Sequence, residues 1–351
     1  MIDLLANLNE PQKQAVSHAQ GPLLVLAGAG SGKTRVITRR VANLVAGGVA
    51  PWQVLAITFT NKAAREMADR VRALDVPHGA TICTFHSLCA ALLREFALEA
   101  GASGNYTIYD RDDQLRLVPP GAVHSAISAA KNDLKLPGQL AENAEGMFDR
   151  QVAAVYAGYQ KLLDENNAMD FDDLLLRTAQ LLERHEEVRR LLTDRYRYLL
   201  IDEYQDTNRA QYLLARAIAS EHDNICVTGD PDQSIYAWRG ADIRNILQFE
   251  KDYPAATVVR LEENYRSAQP ILTAASALIS NNVNRKAKTL WTARAGGEPV
   301  HVLLCSDEHE EAAVTNTRRP ARSPGVSRPT GPRGARPAMS RSSTASTPSR
   351  A

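Results

Sequence analysis

Leu23-Leu24-Val25-Leu26-Ala27-Gly28-Ala29-Gly30-Ser31-Gly32-Lys33-Thr34 decides the fold. Its first five residues are uniformly apolar and read as a strand buried on both faces, the pattern of a parallel sheet. Glycines at 28, 30 and 32 follow at once, and a helical pattern opens at Lys33. Strand, glycine-rich turn and helix in that order suit a phosphate-binding loop. Backbone N–H groups wrap the phosphates and the helix N-terminus adds a favourable dipole. Lys33 would reach the β- and γ-phosphates and Thr34 would ligate Mg2+. Ala27 through Arg35 is the expected nucleotide-binding segment, with Ala27 standing where the strict pattern has glycine. The competing reading is a strand–helix turn with no ligand.

Further apolar runs at Val54–Phe59, Tyr198–Asp202, Ile225–Asp230 and Val258–Leu261 are bounded by Gly, Thr, Asp or Asn and read as more parallel strands. Helical patterns lie between them, such as Asn61–Leu74, with Ala64, Met67, Ala68, Val71 and Leu74 on one face, and Thr207–Ile218. This alternation predicts an α/β layer fold. It breaks between about Ala90 and Arg190, where helical patterns such as Phe148–Leu163 and Leu174–Leu192 dominate and Pro119-Pro120-Gly121 and Pro137-Gly138 punctuate. The expected organisation is an α/β core at 1–90 and 191–280, divided by a helical insertion at 91–190.

With 351 residues, 44% of them apolar and 23% charged, the chain can build a sizeable core. Its four cysteines, Cys83, Cys89, Cys226 and Cys305, form no CxxC pair, which excludes a disulfide scaffold and a Cys-rich zinc site. MIDLLANLNEPQ does not read as a signal peptide, and no run approaches the ~20 apolar residues of a membrane span. The expected location is cytoplasmic. The net charge of +1 conceals an uneven distribution: residues 315–351 hold eight arginines and no acid. Without those eight, 33 Lys and Arg face 40 Asp and Glu in 1–314, a formal charge of −7. Nucleic acid would therefore need a local groove. The tail at 315–351, rich in Arg, Pro, Ser, Thr and Gly, is expected to be disordered. A solvated tail or an out-of-frame translation is preferred to a basic nucleic-acid tether, because composition changes abruptly after Ala313.

Two more strand ends carry chemistry. Leu199-Leu200-Ile201-Asp202-Glu203 closes a strand on two carboxylates. Asp202 would hold Mg2+ directly or through water, and Glu203 would orient or deprotonate the attacking water. Alone, such a pair reads as a solvated strand end. Gly229-Asp230-Pro231-Asp232-Gln233-Ser234-Ile235-Tyr236-Ala237-Trp238-Arg239-Gly240 follows another strand. Gln233, with a donor and an acceptor, suits a γ-phosphate sensor. Tyr236 and Trp238 offer faces on which bases could stack, with a core aromatic as the alternative for Trp238. Arg239 joins the expected DNA contacts.

Over roughly residues 1–313 these segments resemble the UvrD/Rep type of superfamily 1 DNA helicase. The resemblance implies a RecA-like P-loop NTPase domain, ATP and Mg2+ as cofactors, and single-stranded DNA and single-strand/duplex junctions as partners. It also implies repair or replication proteins as further partners, and movement along one strand in the 3′→5′ direction. Leu8-Asn9-Glu10-Pro11-Gln12-Lys13-Gln14-Ala15-Val16 is similar to the family's adenine-reading motif, with Gln12 in the reading place. Ile57-Thr58-Phe59-Thr60-Asn61-Lys62-Ala63-Ala64 resembles its first single-strand contact motif. There Phe59 can stack on bases, and Thr60 and Asn61 can bond phosphate. Thr84-Phe85-His86-Ser87 resembles the next one, which implies a DNA contact for His86. Met169-Asp170-Phe171-Asp172-Asp173-Leu174-Leu175 is a family signature whose acids read as structural. In Leu261-Glu262-Glu263-Asn264-Tyr265-Arg266-Ser267, the resemblance implies that Tyr265 stacks near the adenine. It makes Arg266 an arginine finger, a group worth ~10³–10⁵ in rate.

The likeness thins after Ser267. Such helicases have a second motor domain with a further DNA-contact motif and a second arginine finger, and neither is recognisable here. Residues 281–314 read as the start of that domain, and the insertion reads as short around Leu117–Val123. The expectation is a partial gene product that binds ATP and single-stranded DNA but hydrolyses poorly and does not unwind. A non-catalytic nucleotide- and DNA-binding remnant is the alternative. A helicase–nuclease ranks last, because no nuclease carboxylate cluster is recognisable.

Overall fold

The structure is a computed structural model that describes residues 2–118, 121–282, 285–286 and 288–317. The side chain of Arg239 and the expected tail from 318 onward lie outside the described residues.

Helix α1 (Glu10–Ser17) starts on a capping box in which the Asn9 side chain accepts from the Gln12 N–H. Strand β1 (Leu23–Ala27) and α2 (Lys33–Ala46) lead to β2 (Val54–Thr58), α3 (Asn61–Arg72), β3 (Thr81–Thr84) and α4 (Phe85–Glu95). After β4 (Thr107–Tyr109) the chain is mainly helical. It runs through α5 (Arg111–Leu117), α6 (Ala122–Asn132), α7 (Pro137–Glu142) and α8 (Met147–Glu165). Strand β5 (Ala168–Asp170) pairs with β4, and α9 (Phe171–Arg184) and α10 (Glu186–Arg195) follow. The chain then re-enters the main sheet through β6 (Tyr198–Ile201), α11 (Arg209–Ala219) and β7 (Ile225–Gly229). Two short helices, α12 (Arg244–Leu247) and α13 (Phe249–Asp252), precede β8 (Thr257–Leu261) and α14 (Gln269–Ile279). A second unit begins at His301, and its described part carries α15 (Glu308–Thr317).

The main sheet has the order β3-β2-β6-β7-β1-β8, and every pairing is parallel. All six strands therefore end on one edge, where open α/β sheets bind ligands. Period-two alternation fills a core on each face. Leu24, Leu26, Leu55 and Ile57 pack with α4 and α9, while Leu23, Val25, Val54 and Ala56 pack with α1, α2 and α3. Each buried Leu, Ile or Val among them contributes about 1.5–3 kcal/mol.

The α/β expectation holds, and the anticipated strands appear within a residue or so of their expected ends. Strand β3 was not anticipated: it is four residues long and half-exposed, so it lacks an apolar run. The single helix expected over Leu174–Leu192 is two, because His185 takes an extended conformation (φ −115°, ψ 91°) between α9 and α10. In the insertion, Lys131 is fully buried and ion-paired to Asp170 at 2.8 Å and Asp173 at 2.9 Å. Tyr159 donates to Asp170 Oδ2 at 2.9 Å. Burial alone would lower the Lys131 pKa, but the charges of Asp173 and Asp170 outweigh it and the pKa is raised. The acids at 170 and 173 thus clamp the insertion's core.

Candidate functional site

Because the sheet is parallel, the ends of β1, β6, β7 and β8 deliver their loops side by side. After β1, Gly30 (φ 68°) and Gly32 (φ 91°) occupy the left-handed region that favours glycine. A Cβ on Gly30 would also meet Arg266 Cβ at 2.7 Å and Asn264 Nδ2 at 2.8 Å. The N-cap of α2 is Gly32, which has no side chain to bond the helix's first N–H groups. Those groups have no intrahelical partner and face an anion naturally.

Lys33 is buried at the base of the loop, its Nζ 2.9 Å from Glu203 Oε2. Glu203 follows β6 by two residues and sits at φ 52°, ψ 42°. A non-glycine residue there costs of order 1–3 kcal/mol and clusters at functional sites. Neighbouring Asp202 is buried and accepts on Oδ1 from the Thr228 hydroxyl at 2.7 Å and the Glu203 N–H at 3.0 Å. Both bonds fall on one oxygen. Burial, then the charge of Glu203, raises the Asp202 pKa. Burial, then Glu203 again, pushes Asp206 up to about 6, and its Oδ1 is buried without a hydrogen-bond partner. Gln205 knits these acids together. Its Nε2 donates to Glu203 at 3.0 Å and Asp206 at 3.2 Å, and its Oε1 accepts from the Asp230 N–H at 3.0 Å. Sequence reasoning assigned Gln205 no role, although its place three residues past Asp202 was a usable signal.

After β8, Asn264 ties its loop to the phosphate loop, donating to Ala29 O at 2.6 Å while the Tyr265 N–H donates to Gly30 O at 3.0 Å. Arg266 is exposed with its Cβ against Gly30. The Tyr265 hydroxyl donates to Glu263 at 2.7 Å and accepts from Asn9 at 2.9 Å. Gln12 is buried, its Nε2 donating to Ser31 O at 2.9 Å and its Oε1 accepting the Asn9 N–H at 3.2 Å. One end of its amide ties α1 to the loop and the other closes the capping box of α1. Ala27 closes β1, Gly28, Ala29 and Ser31 form the loop itself, Thr34 is half-buried on α2, and Arg35 is exposed there, 3.4 Å from Asn7 O.

A groove of about 1130 Å³ runs along the same edge against the insertion. Phe59, Thr60, His86, Tyr236 and Trp238 line it from the sheet side, and His124, Ser128, Phe171 and Asp172 from the insertion. Glu203 and Gln233 line it too, so the groove reaches the acids beside Lys33. Asn61 is exposed at the start of α3 but is not a lining residue. Phe59 makes an edge contact with Phe85, and His86 with Phe171 at 5.8 Å. Burial lowers the His86 pKa. Trp238 is 74% exposed, with its ring 6.3 Å from that of Tyr236. It is not a core aromatic.

Comparison with known proteins agrees with this layout. The UvrD/REP helicase N-terminal domain matches residues 8–254, and the UvrD-like helicase C-terminal domain matches 259–318. The chain belongs to the UvrD/REP helicase family. It is 48% identical over 329 residues to the ATP-dependent DNA helicase PcrA of Staphylococcus aureus, a match covering 89% of this chain and 45% of that protein. It is also 48% identical over 328 residues to the probable DNA helicase II homolog of Rickettsia felis, covering 88% and 50%. The chain thus spans about half the length of the curated relatives it matches. The second UvrD-type match begins inside β8, a strand hydrogen-bonded into the first domain's sheet.

The side chains fit a Mg2+–nucleoside triphosphate. The loop offers N–H donors and an amine, and Thr34, Asp202 and Glu203 offer hard oxygens. Among the described residues no group of three or more His, Cys, Asp or Glu could hold a metal alone. Mg2+ is commonly held by one or two carboxylates plus substrate phosphates. No helix among the described residues is long and apolar enough to cross a membrane.

Proposed function

We propose that this chain is the ATP-binding, strand-gripping part of a DNA helicase motor that moves 3′→5′ along single-stranded DNA. The observation that carries the reading is the convergence of Lys33, Glu203, Asp202 and the Asn264–Arg266 turn on one glycine loop at the C-terminal edge of the sheet. ATP is the substrate. Bound Mg2+ supplies charge neutralisation at the β- and γ-phosphates. Lys33 binds phosphate oxygens, Thr34 and Asp202 hold the metal, and Glu203 takes or orients the proton of the attacking water. Gln233 senses the γ-phosphate, and Arg266 stabilises its developing charge. Gln12 and Tyr265 flank the adenine side.

Phe59, Thr60, Asn61, His86, Tyr236, Trp238 and Arg239 contact the strand. Stacking on such aromatics tolerates any sequence, so the preference is for single strands and their junctions with duplex. Partners in repair or replication and a cytoplasmic location accord with this reading. By itself the chain binds ATP and single-stranded DNA but turns over slowly and unwinds little.

A non-catalytic nucleotide- and DNA-binding remnant is the second reading. It is favoured by Leu290, whose side chain sits directly on Gly28 at the loop. Steady-state ATPase of the 351-residue chain, with and without single-stranded DNA and beside Lys33→Ala, tests both. DNA-stimulated turnover lost in the variant supports a motor. Binding without turnover supports the remnant, and no nucleotide binding overturns both.

A further inference from the structure

Arg285 and residues Lys288–Trp291 lie against the ends of β1, β7 and β8. Trp291 pairs with the chain after β8, its N–H donating to Glu262 O at 3.0 Å and its carbonyl accepting the Asn264 N–H at 2.7 Å. Leu290 rests on Gly28 of the phosphate loop. Lys288 turns the other way, into the loop after β7. Its side chain is only 4% exposed, and its Nζ bonds Asp230 Oδ1 and Asp232 Oδ2, the latter at 2.7 Å. Arg285 joins it on Asp232 Oδ2 at 2.9 Å.

Two carboxylates two residues apart, Asp230 buried and Asp232 largely so, are thus paired with two cations more than fifty residues downstream, of which Lys288 has a side chain only 4% exposed and Arg285 one 19% exposed. Burying such charges costs several kcal/mol per ion unless they are paired. Asp230 has a further task. Its Oδ2 accepts Gln233 Nε2 at 2.5 Å, while its Oδ1 accepts the Asp232 N–H at 3.0 Å as well as Lys288. A carboxylate only accepts, so Gln233 must turn its NH2 toward Asp230; one N–H is used there, and the second N–H of the same nitrogen is the group of the amide able to donate to a phosphate oxygen.

We propose that Lys288 is a positioning residue for Gln233: it fixes the Asp230 carboxylate and thereby the direction of the sensor amide. The seating of Lys288–Trp291 is thereby linked to recognition of the terminal phosphate. This rests on the reading of Gln233 as the γ-phosphate sensor. Sequence reasoning gave no hint of it, since Lys288 lies in a stretch read only as the start of another domain.

The test is fluorescence titration of the 351-residue chain with Mg2+ and either a non-hydrolysable ATP analogue or ADP. Lys288→Met should weaken the triphosphate analogue about tenfold and ADP less than about twofold. Lys288→Arg should recover most of that loss. Gln233→Ala should show the same selective loss, and adding Lys288→Met to it should cost less than about another twofold. If Lys288→Met does not fold, Lys288→Gln, which keeps a donor in the same slot, should still show a smaller selective loss. Equal weakening of both nucleotides, unchanged affinities, or additive losses in the double variant overturn the proposal. A wild-type chain that binds no nucleotide overturns the sensor reading first. Wild-type discrimination that persists in Lys288→Met overturns this proposal alone.

Discussion

Two buried lysines, each held by carboxylates, do opposite things in this molecule. Lys131 lies in the insertion with no exposed surface, clamped by Asp170 and Asp173, with the ring of Tyr159 4.9 Å away. Lys33 lies at the sheet edge against a single carboxylate, Glu203, whose side chain is 36% exposed, below a loop of glycines. The first region closes its charges on themselves. The second leaves one side open and surrounds it with donors. Burial of a charge is common to both, and what separates them is whether the lysine meets two buried carboxylates or a single one that is partly exposed.

Four substitutions would break or sharpen that contrast. The largest effect belongs to Lys131→Met, which strands two buried carboxylates and should destabilise the fold by about 3–5 kcal/mol in urea titration. The folded fraction should keep its nucleotide affinity. Lost affinity at unchanged stability would abolish the distinction. Lys33→Met should reverse the pattern. Triphosphate affinity should fall roughly ten- to a hundredfold, as expected for about 1.5–3 kcal/mol of charge-assisted bonding. Unfolding free energy should move by less than about 1 kcal/mol, because its partner is partly solvated. Calorimetry and urea titration on one preparation decide it.

Trp238→Ala carries the contrast into the groove. Loss of one stacking platform should weaken single-stranded DNA binding by about 1–3 kcal/mol, read by fluorescence anisotropy, with nucleotide affinity intact. The smallest effect is the pH response of His86. Its pKa is lowered by burial, so the folded chain binds fewer protons than the unfolded one just below pH 6.5. Its contribution to stability is present above that pH and is lost as the pH falls. His86→Gln should therefore flatten the decline in melting temperature between pH 7 and 5. An unchanged slope would show that His86 is solvated in the groove.

Much of the sheet was legible because strands buried on both faces write themselves as apolar runs, and because their loops begin with Gly, Asp or Asn. Lys33 could be named because it opens the helix after the glycine loop that follows β1, and Asp202 and Glu203 because they follow the end of β6; a parallel sheet gathers such strand ends. The half-exposed β3 and the break at His185 were not legible, as neither carries a glycine, a proline or a change of period. Lys131 and Lys288 were hidden for another reason. A lysine reads as surface unless its partners are known, and theirs lie 39 residues later and 56 or more earlier. Gln12 was legible as a family position, but its bonds to Ser31 and Asn9 are visible only in three dimensions.

Strand β1 is hydrogen-bonded on both flanks, to β7 and to β8. Its amides should therefore be among the last in the chain to exchange with heavy water, since they are released only by sub-global or global opening. The phosphate loop begins one residue beyond it. Deuterium uptake at 28–34 can then be compared with 23–27 in the same peptide map, which gives an internal clock. Slowing in the loop alone marks a ligand on the glycines, whereas slowing in both segments marks a change in the stability of the whole sheet.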